Sequence, residues 1–261
     1  MMSLPGCSDT ITYDIELLPT EHVRAKFYPV PVKLREYFDE EMDTLLKLKI
    51  IQPSRSLCSS PGVMVQKSDG TCHMTIDDRT LNSVTKFQAE PPCLVEEDLH
   101  PFSIAKYFSE LDLSWAYYQI KLTENARQFT AFPTGHGLME FVRLPFCLVN
   151  ACSACSQLMR IVLRGLENVT FYFDNIYVYG ETFESHLAAL EQVLVRLEQH
   201  GLTVKPSTCR FGFPTINYLG FVVGNNEVRT QLDKVSAILN APCPDTKKSL
   251  CSFLGLASFF R

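Results

Sequence analysis

Two carboxylates stand where phosphate chemistry could use them. Asp112 closes the apolar run Phe108-Ser109-Glu110-Leu111-Asp112-Leu113, and Asp174 sits in Tyr172-Phe173-Asp174-Asn175-Ile176-Tyr177-Val178-Tyr179, a tight turn between two apolar strands. If those strand ends meet at one edge of a sheet, their oxygens can hold paired Mg2+ ions about 3.5–4 Å apart. One such ion activates a 3′-hydroxyl, and the other neutralises charge on a triphosphate and its leaving pyrophosphate. Oxygen ligands suit Mg2+ (or Mn2+), whereas imidazole and thiolate suit zinc. A single carboxylate at a strand end is ordinarily a turn former or a solvated charge. Spacing alone leaves both readings open.

The elements that must position these residues follow from periodicity. Residues 1–31 read as an extended, irregular leader ending in Tyr28-Pro29-Val30-Pro31. From Val32 to Lys49, Leu34, Phe38, Met42, Leu45 and Leu46 recur at helical spacing, with Asp39, Glu40 and Glu41 between them. Val63-Met64-Val65 and Met74-Thr75-Ile76, separated by a segment with Asp69-Gly70, predict a β-hairpin. Ile104 to Leu113 predicts the strand that delivers Asp112. A second hairpin is expected over Phe129–Phe132 and Glu140–Arg143, turning through Pro133-Thr134-Gly135-His136-Gly137. Asn150 to Leu163 is helical by period, and Val169 to Tyr179 is a strand–turn–strand around Asp174. Glu184 to His200 predicts a long helix with Leu187, Leu190, Leu194 and Leu197 on one face and Gly201 as its stop. Ile216 to Val223 reads as one further strand, and Leu232 to Arg261 as two short helices broken by Ala241-Pro242-Cys243-Pro244. Helices alternating with hairpins give an α+β class built on an antiparallel sheet. The helical pattern still running at Phe259-Phe260-Arg261 gives the expectation of a truncated piece.

The 261 residues, 46% hydrophobic and 20% charged, have the composition of a globular protein rather than a disordered one. No run has the apolar length of a membrane span, and the N-terminus lacks a basic region followed by an apolar stretch. The expectation is therefore an intracellular protein, cytoplasmic or nuclear, not secreted and without a membrane partner. A net charge of −5 argues against a uniformly basic nucleic-acid-binding surface and leaves room only for a local basic groove. The ten cysteines show no repeating zinc-ribbon or disulfide spacing. Cys152 and Cys155 make one C-x-x-C with Cys147 nearby; metal and redox roles stand against the plainer reading of buried thiols on a core-facing helix, which is preferred.

From about Arg24 onward, successive blocks resemble, in order, the motifs of gypsy-type LTR retrotransposon reverse transcriptases. Glu41 to Leu46, with Ile50-Ile51-Gln52-Pro53-Ser54, resembles the leading fingers helix and its turn, and Ser60 to Gly70 the fingertip hairpin. Ile76-Asp77-Asp78-Arg79-Thr80-Leu81-Asn82 resembles the "VDYRxLN" segment, and Leu111 to Ile120 the first palm motif. Leu144-Pro145-Phe146 with Asn150-Ala151 resembles "PFGLxNAP", and Tyr172-Phe173-Asp174-Asn175 holds the place of the "YxDD" box. Tyr218-Leu219-Gly220 resembles the primer grip, and Ser252 to Ala257 the "SFLGLxNYYR" segment.

The resemblance implies a right-hand polymerase fold: fingers with some palm over 32–103, palm with the metal site and primer grip over 104–225, and a partial thumb or connection over 226–261, truncated before RNase H. It implies Asp112 and Asp174 as metal-binding carboxylates and Tyr117 as the aromatic gate against a ribose 2′-hydroxyl. Lys67, His73 and Phe146 would border the incoming nucleotide, and Tyr218, Leu219 and Gly220 would hold the primer. The implied partners are an RNA or DNA template with primer and deoxynucleoside triphosphates, with two Mg2+ (or Mn2+) ions as cofactor. The chain departs from the pattern at several of these positions. Asn175 replaces the second aspartate of the box, His73 an arginine, Cys147 a glycine, Cys58 and Cys72 tryptophans, and Cys152 and Cys155 a proline and a phenylalanine. Two functions follow: an RNA-directed DNA polymerase, or a catalytically impaired remnant that only binds nucleic acid or a protein partner.

Overall fold

The computed structural model describes residues 4–19, 28, 30–66, 72–89, 95–135 and 137–259. In chain order come β1 (Ser8–Tyr13), α1 (Arg35–Lys47), β2 (Ile51–Pro53), β3 (Gly62–Gln66), β4 (Cys72–Ile76), α2 (Arg79–Val84) and α3 (Val95–Ile104). Next are β5 (Tyr107–Asp112), β6 (Ile120–Leu122), α4 (Glu124–Arg127), β7 (Phe132–Thr134), β8 (Gly137–Phe141), α5 (Ala151–Val162), β9 (Val169–Tyr172) and β10 (Asn175–Gly180). The chain continues with α6 (Phe183–Gln199), β11 (Arg210–Phe213), β12 (Thr215–Tyr218), β13 (Phe221–Gly224), β14 (Glu227–Thr230), α7 (Leu232–Leu239) and α8 (Lys247–Phe259). The class is α+β, as the alternation of helices and hairpins predicts.

The central sheet has four strands in the order β11-β5-β10-β9, and every neighbouring pair is antiparallel. Its middle strands bury residues on both faces: Phe108, Leu111, Ile176 and Val178 are fully buried. Helix α6 packs on β5 and β10 and starts with a capping box between Thr182 and Ser185. Its buried face is His186, Ala189, Leu190, Val193 and Leu197. The expected leucine stripe is therefore rotated, for Leu187 is 50% and Leu194 41% exposed. Leu190 and Leu197 stay on the buried face, with His186, Ala189 and Val193 in the places the stripe gave to leucine.

Three further expectations change. The strand read as Ile216 to Val223 is a hairpin, β12 with β13, extended by β14; Leu219 (φ 47°) and Gly220 (φ 90°) reverse the chain between the two strands. The strand expected from Ile104 begins at Tyr107, because Ile104 ends α3, a helix that carries Pro101 inside it and so reads as broken. Phe129 lies in a short 3-10 turn, Gln128–Thr130, and the hairpin after it is β7–β8.

The leader is also more than a leader. β1 pairs in parallel with β6, and Tyr13 and Ile15 are buried in the main core. Gly6 N–H donates to Thr203 Oγ1 at 2.8 Å, and Cys7 N–H to the Gly201 carbonyl at 2.9 Å. A Cβ on Gly6 would meet the Gly201 carbonyl oxygen at 2.2 Å, so glycine is required there. A second, smaller core gathers Phe102, Phe108, Tyr177 and Tyr218 in edge-to-face contacts. The two C-terminal helices fall where the sequence places them, on either side of the Pro242 and Pro244 break.

Candidate active site

Asp112 is the last residue of β5, and Asn175, the first of β10, faces it in register. Asp174 lies one residue earlier, in the two-residue turn between Tyr172 and Asn175, where Phe173 takes a left-handed φ of 53°. Leu113 N–H donates to the Asp174 carbonyl at 3.0 Å, and Lys205 N–H to the Asp112 carbonyl at 2.8 Å. The sheet thus brings together the two carboxylates that the sequence singles out, and main-chain bonds pin both.

Both carboxylates are half-buried. Burial pushes the Asp174 carboxyl above its ordinary range and the Asp112 charge adds to the rise, while a backbone N–H opposes it. Two hard anionic oxygens groups held side by side, partly out of water, are the donor set a divalent cation such as Mg2+ relieves. Asn175 offers a third oxygen, but a neutral one. Among the described residues no three His, Cys, Asp or Glu side chains cluster to hold a metal, so the carboxylates here number two.

Tyr117 stands on a 3-10 turn, Ala116–Gln119, entered through Trp115 at φ 53°. Its ring meets Phe146 edge-on at 5.0 Å, and its hydroxyl lies 3.2 Å from Cys152 Sγ. Burial, with that thiol, raises the hydroxyl well above its usual range. Phe146 is 44% exposed and also meets Tyr118 edge-on, so Tyr117 and Phe146 form one partly open aromatic wall. Beneath it Gln119 is fully buried. Its amide nitrogen donates to the Ser114 and Thr203 carbonyls, and its oxygen accepts from Thr203 N–H.

Two asparagines that carry no role in the sequence reading fasten the loop holding Phe146. Asn82 donates to the Cys147 carbonyl at 2.8 Å and accepts from Val149 N–H at 2.9 Å. Asn150 accepts from Gln88 N–H and donates to the Lys86 carbonyl. Their signal in the sequence is an asparagine in each of two motif segments, Leu81-Asn82 and Asn150-Ala151. Cys147 has a φ of 75°, a conformation that suits the glycine of the family pattern, and its thiol lies 3.0 Å from Thr75 Oγ1.

His73 sits on β4 opposite Val65, and Lys67 lies outside the described residues. Tyr218 is fully buried against Phe102 and Tyr177, so its ring anchors the turn and leaves the Leu219-Gly220 segment as the partly open part. The C-x-x-C pair divides. Cys155 is buried, its thiol pushed up to about 12 by burial and the nearby Asp174 charge, while Cys152 is exposed at the aromatic wall. The reading of both as buried thiols holds for Cys155 and not for Cys152, because the first turn of α5 leaves that position open.

The sheet end thus carries Asp112 and Asp174 near the aromatic wall of Tyr117 and Phe146, and comparison with known proteins gives the family. A family profile described as reverse transcriptase (RNA-dependent DNA polymerase) matches residues 65–223, that is 159 of the 261 residues. The chain belongs to the reverse transcriptase family. It is 33% identical over 259 residues to the retrovirus-related Pol polyprotein from transposon gypsy of Drosophila melanogaster, a match covering 96% of this chain and 25% of the relative. It is 34% identical over 246 residues to that from transposon opus of the same organism, covering 92% and 24%. These relatives place it with the gypsy-type retrotransposon Pol proteins, and the chain spans about a quarter of their length. In structure it is similar to a foamy viral protease-reverse transcriptase in complex with double-stranded DNA: TM-score 0.86, 24% identity, 98% of this chain and 45% of that one. The same viral enzyme in complex with an RNA/DNA hybrid gives a TM-score of 0.79 at 24% identity, over 98% and 34%. The fold is the right-hand polymerase fold.

Proposed function

We propose that this reverse transcriptase domain adds deoxynucleotides to a primer 3′-hydroxyl on an RNA template, with Asp112 and Asp174 as the metal-holding carboxylates. The observation that carries the reading is the register of β5 against β10, which sets Asp112 beside the Asp174 turn. Divalent ions held by Asp112 and Asp174 would supply activation of the hydroxyl and neutralisation of the triphosphate. The chain's own residues orient the reactants. The Tyr117–Phe146 wall borders the base and sugar, and the turn at Leu219-Gly220 lies where the resemblance puts the primer. The 3′-oxygen attacks the α-phosphorus and gives its proton to solvent water, while the bond from the α-phosphorus to the bridging oxygen breaks and pyrophosphate leaves. Residues 32–103, 104–225 and 226–261 are read as fingers, palm and partial thumb. Foamy viral relatives held on double-stranded DNA and on an RNA/DNA hybrid support a primer–template as the partner.

Asn175 leaves this site one negative charge short. Removing one such electrostatic group costs on the order of 3 kcal/mol, roughly a hundredfold in rate. Primer extension on an RNA template with Mg2+ tests the reading. Slow extension is expected, abolished by Asp112→Ala and raised about a hundredfold by Asn175→Asp. Extension unchanged by Asp112→Ala would remove the carboxylates from the chemistry. A chain inert even as Asn175→Asp with His73→Arg, yet still holding a primer–template in a salt-dependent way, would make the binding remnant the correct description.

A further inference from the structure

Helix α1 carries none of the residues assigned above, yet one of its stripes is left partly unpacked. Asp39, Met42, Asp43 and Leu46 follow one another at i, i+3, i+4 and i+7, which puts them on one face. Such a face would ordinarily be apolar and closed against its neighbour. Here a cleft of about 310 Å³ opens between it and the β7–β8 hairpin, bounded across the gap by Thr134 and Met139. Its depth is apolar: Met42 is buried, and Leu46 and Met139 are half-buried. Asp39 and Asp43 stand exposed at the edge, one turn apart, where like charges repel. Arg35, one turn before Asp39, makes no ion pair with it, and neither carboxylate meets a cation among the described residues. Thr134 gives its hydroxyl to the Gly137 carbonyl at 2.8 Å and so has no proton for a ligand.

We infer that this cleft binds a small amphipathic organic cation, an aryl- or alkyl-ammonium or amidinium with its charged head between Asp39 and Asp43. The volume suits a one-ring molecule, at the lower end of ligand sites. Each part of the lining selects. A bare inorganic cation gains nothing from two thioethers and a leucine, and an anion is repelled by the carboxylates. A neutral apolar molecule would strip water from those carboxylates without replacing it. A flat cation satisfies both halves, because Met42 and Met139 are polarisable and adapt to an aromatic face.

Benzamidinium is the probe, with neutral benzamide as its near-isosteric control. In the folded chain labelled with methyl-13C methionine, the Met42 and Met139 signals should shift together and saturably with benzamidinium, while Met159 stays in place. Benzamide at matched concentration should leave all three unmoved. Asp39→Asn and Asp43→Asn should each weaken binding at least about fivefold, and the unmoved Met159 signal reports that each variant is folded. Equal shifts with benzamide, or an unchanged titration of Asp43→Asn, would overturn the proposal. Displacement of benzamidinium by magnesium chloride, but not by sodium chloride of equal ionic strength, would also overturn it, since the carboxylates would then be an inorganic site. None of these readouts depends on primer extension.

Discussion

Asp78 offers the sharpest test of how burial and charge compete in this chain. It is 2% exposed, and neither carboxylate oxygen has a hydrogen-bond partner in the described structure. Ser60, buried beside it and equally unpartnered through Oγ, lies close enough to offset the effect of burial only in part. Burial, reinforced by the Asp77 charge, raises the Asp78 carboxyl from 3.8 to about 6. The folded chain therefore keeps a proton that the unfolded chain loses first. Between pH 3.8 and 6 the native state loses stability as pH rises, and above 6 the penalty is constant. At 1.36 kcal/mol per pH unit the full penalty is about 3 kcal/mol, falling to about 1 kcal/mol near pH 4.5. Asp78→Asn removes the titration, and its neutral amide carries about the same burial cost as the protonated acid does. Urea unfolding should show the variant more stable by about 3 kcal/mol at pH 7.5, with the advantage down to about 1 kcal/mol at pH 4.5. A gain that does not change with pH, or a variant no more stable at pH 7.5, would mean that Asp78 is not held as a buried, unpaired acid.

Three further outcomes follow from packing and backbone geometry. Cys147→Gly should raise stability by about 1 kcal/mol in thermal melts, because φ 75° costs a side chain that much and glycine nothing. No gain would show that the thiol contact with Thr75 Oγ1 outweighs the strain. Gln119→Ala should cost about 2–3 kcal/mol in urea unfolding, since it orphans the Thr203 N–H and takes a donor from the Ser114 carbonyl, while the Thr203 carbonyl keeps the Ser114 N–H. With a thiol reagent at pH 8, peptide mapping should find Cys152 modified while the folded chain protects Cys155 and Cys58, both buried. Early modification of Cys155 would contradict its placement.

The carboxylate turn was legible because its signal is local: an acidic residue between two apolar strands can be little else than a tight turn at a sheet edge. Helices α1, α5 and α6 were legible by period alone. What escaped was long-range or backbone-borne. Nothing in Ser8 to Tyr13 says that it pairs with β6 more than a hundred residues on (Thr123 and Asp14 meet at a separation of 109), so it reads as leader. The β12–β13 reversal rests on a left-handed Leu219, which no residue preference announces. Asn82 and Asn150 look like ordinary loop asparagines until the chains they fasten lie side by side. The exposed Leu187 and Leu194 show why a leucine count places only half the face of α6: Leu190 and Leu197 are buried, but His186, Ala189 and Val193 complete that face.

The N-terminal strap bears on how the molecule folds. Gly6 and Thr203 are 197 residues apart, Thr10 and His200 190, and Arg143 reaches back 137 residues to the Gly6 carbonyl. Closing a flexible loop of that length costs about 5 kcal/mol in chain entropy, which the strap recovers only when the partners of its hydrogen bonds and of the buried Tyr13 and Ile15 already stand together. The strap therefore waits until the sheet and α6 have already brought His200 to Thr203 into place. On that order the strap joins late, and contacts formed late act on unfolding rather than on folding. The strap works as a latch: the carboxylate pair can assemble without it, and afterwards it slows the opening of the core beneath them.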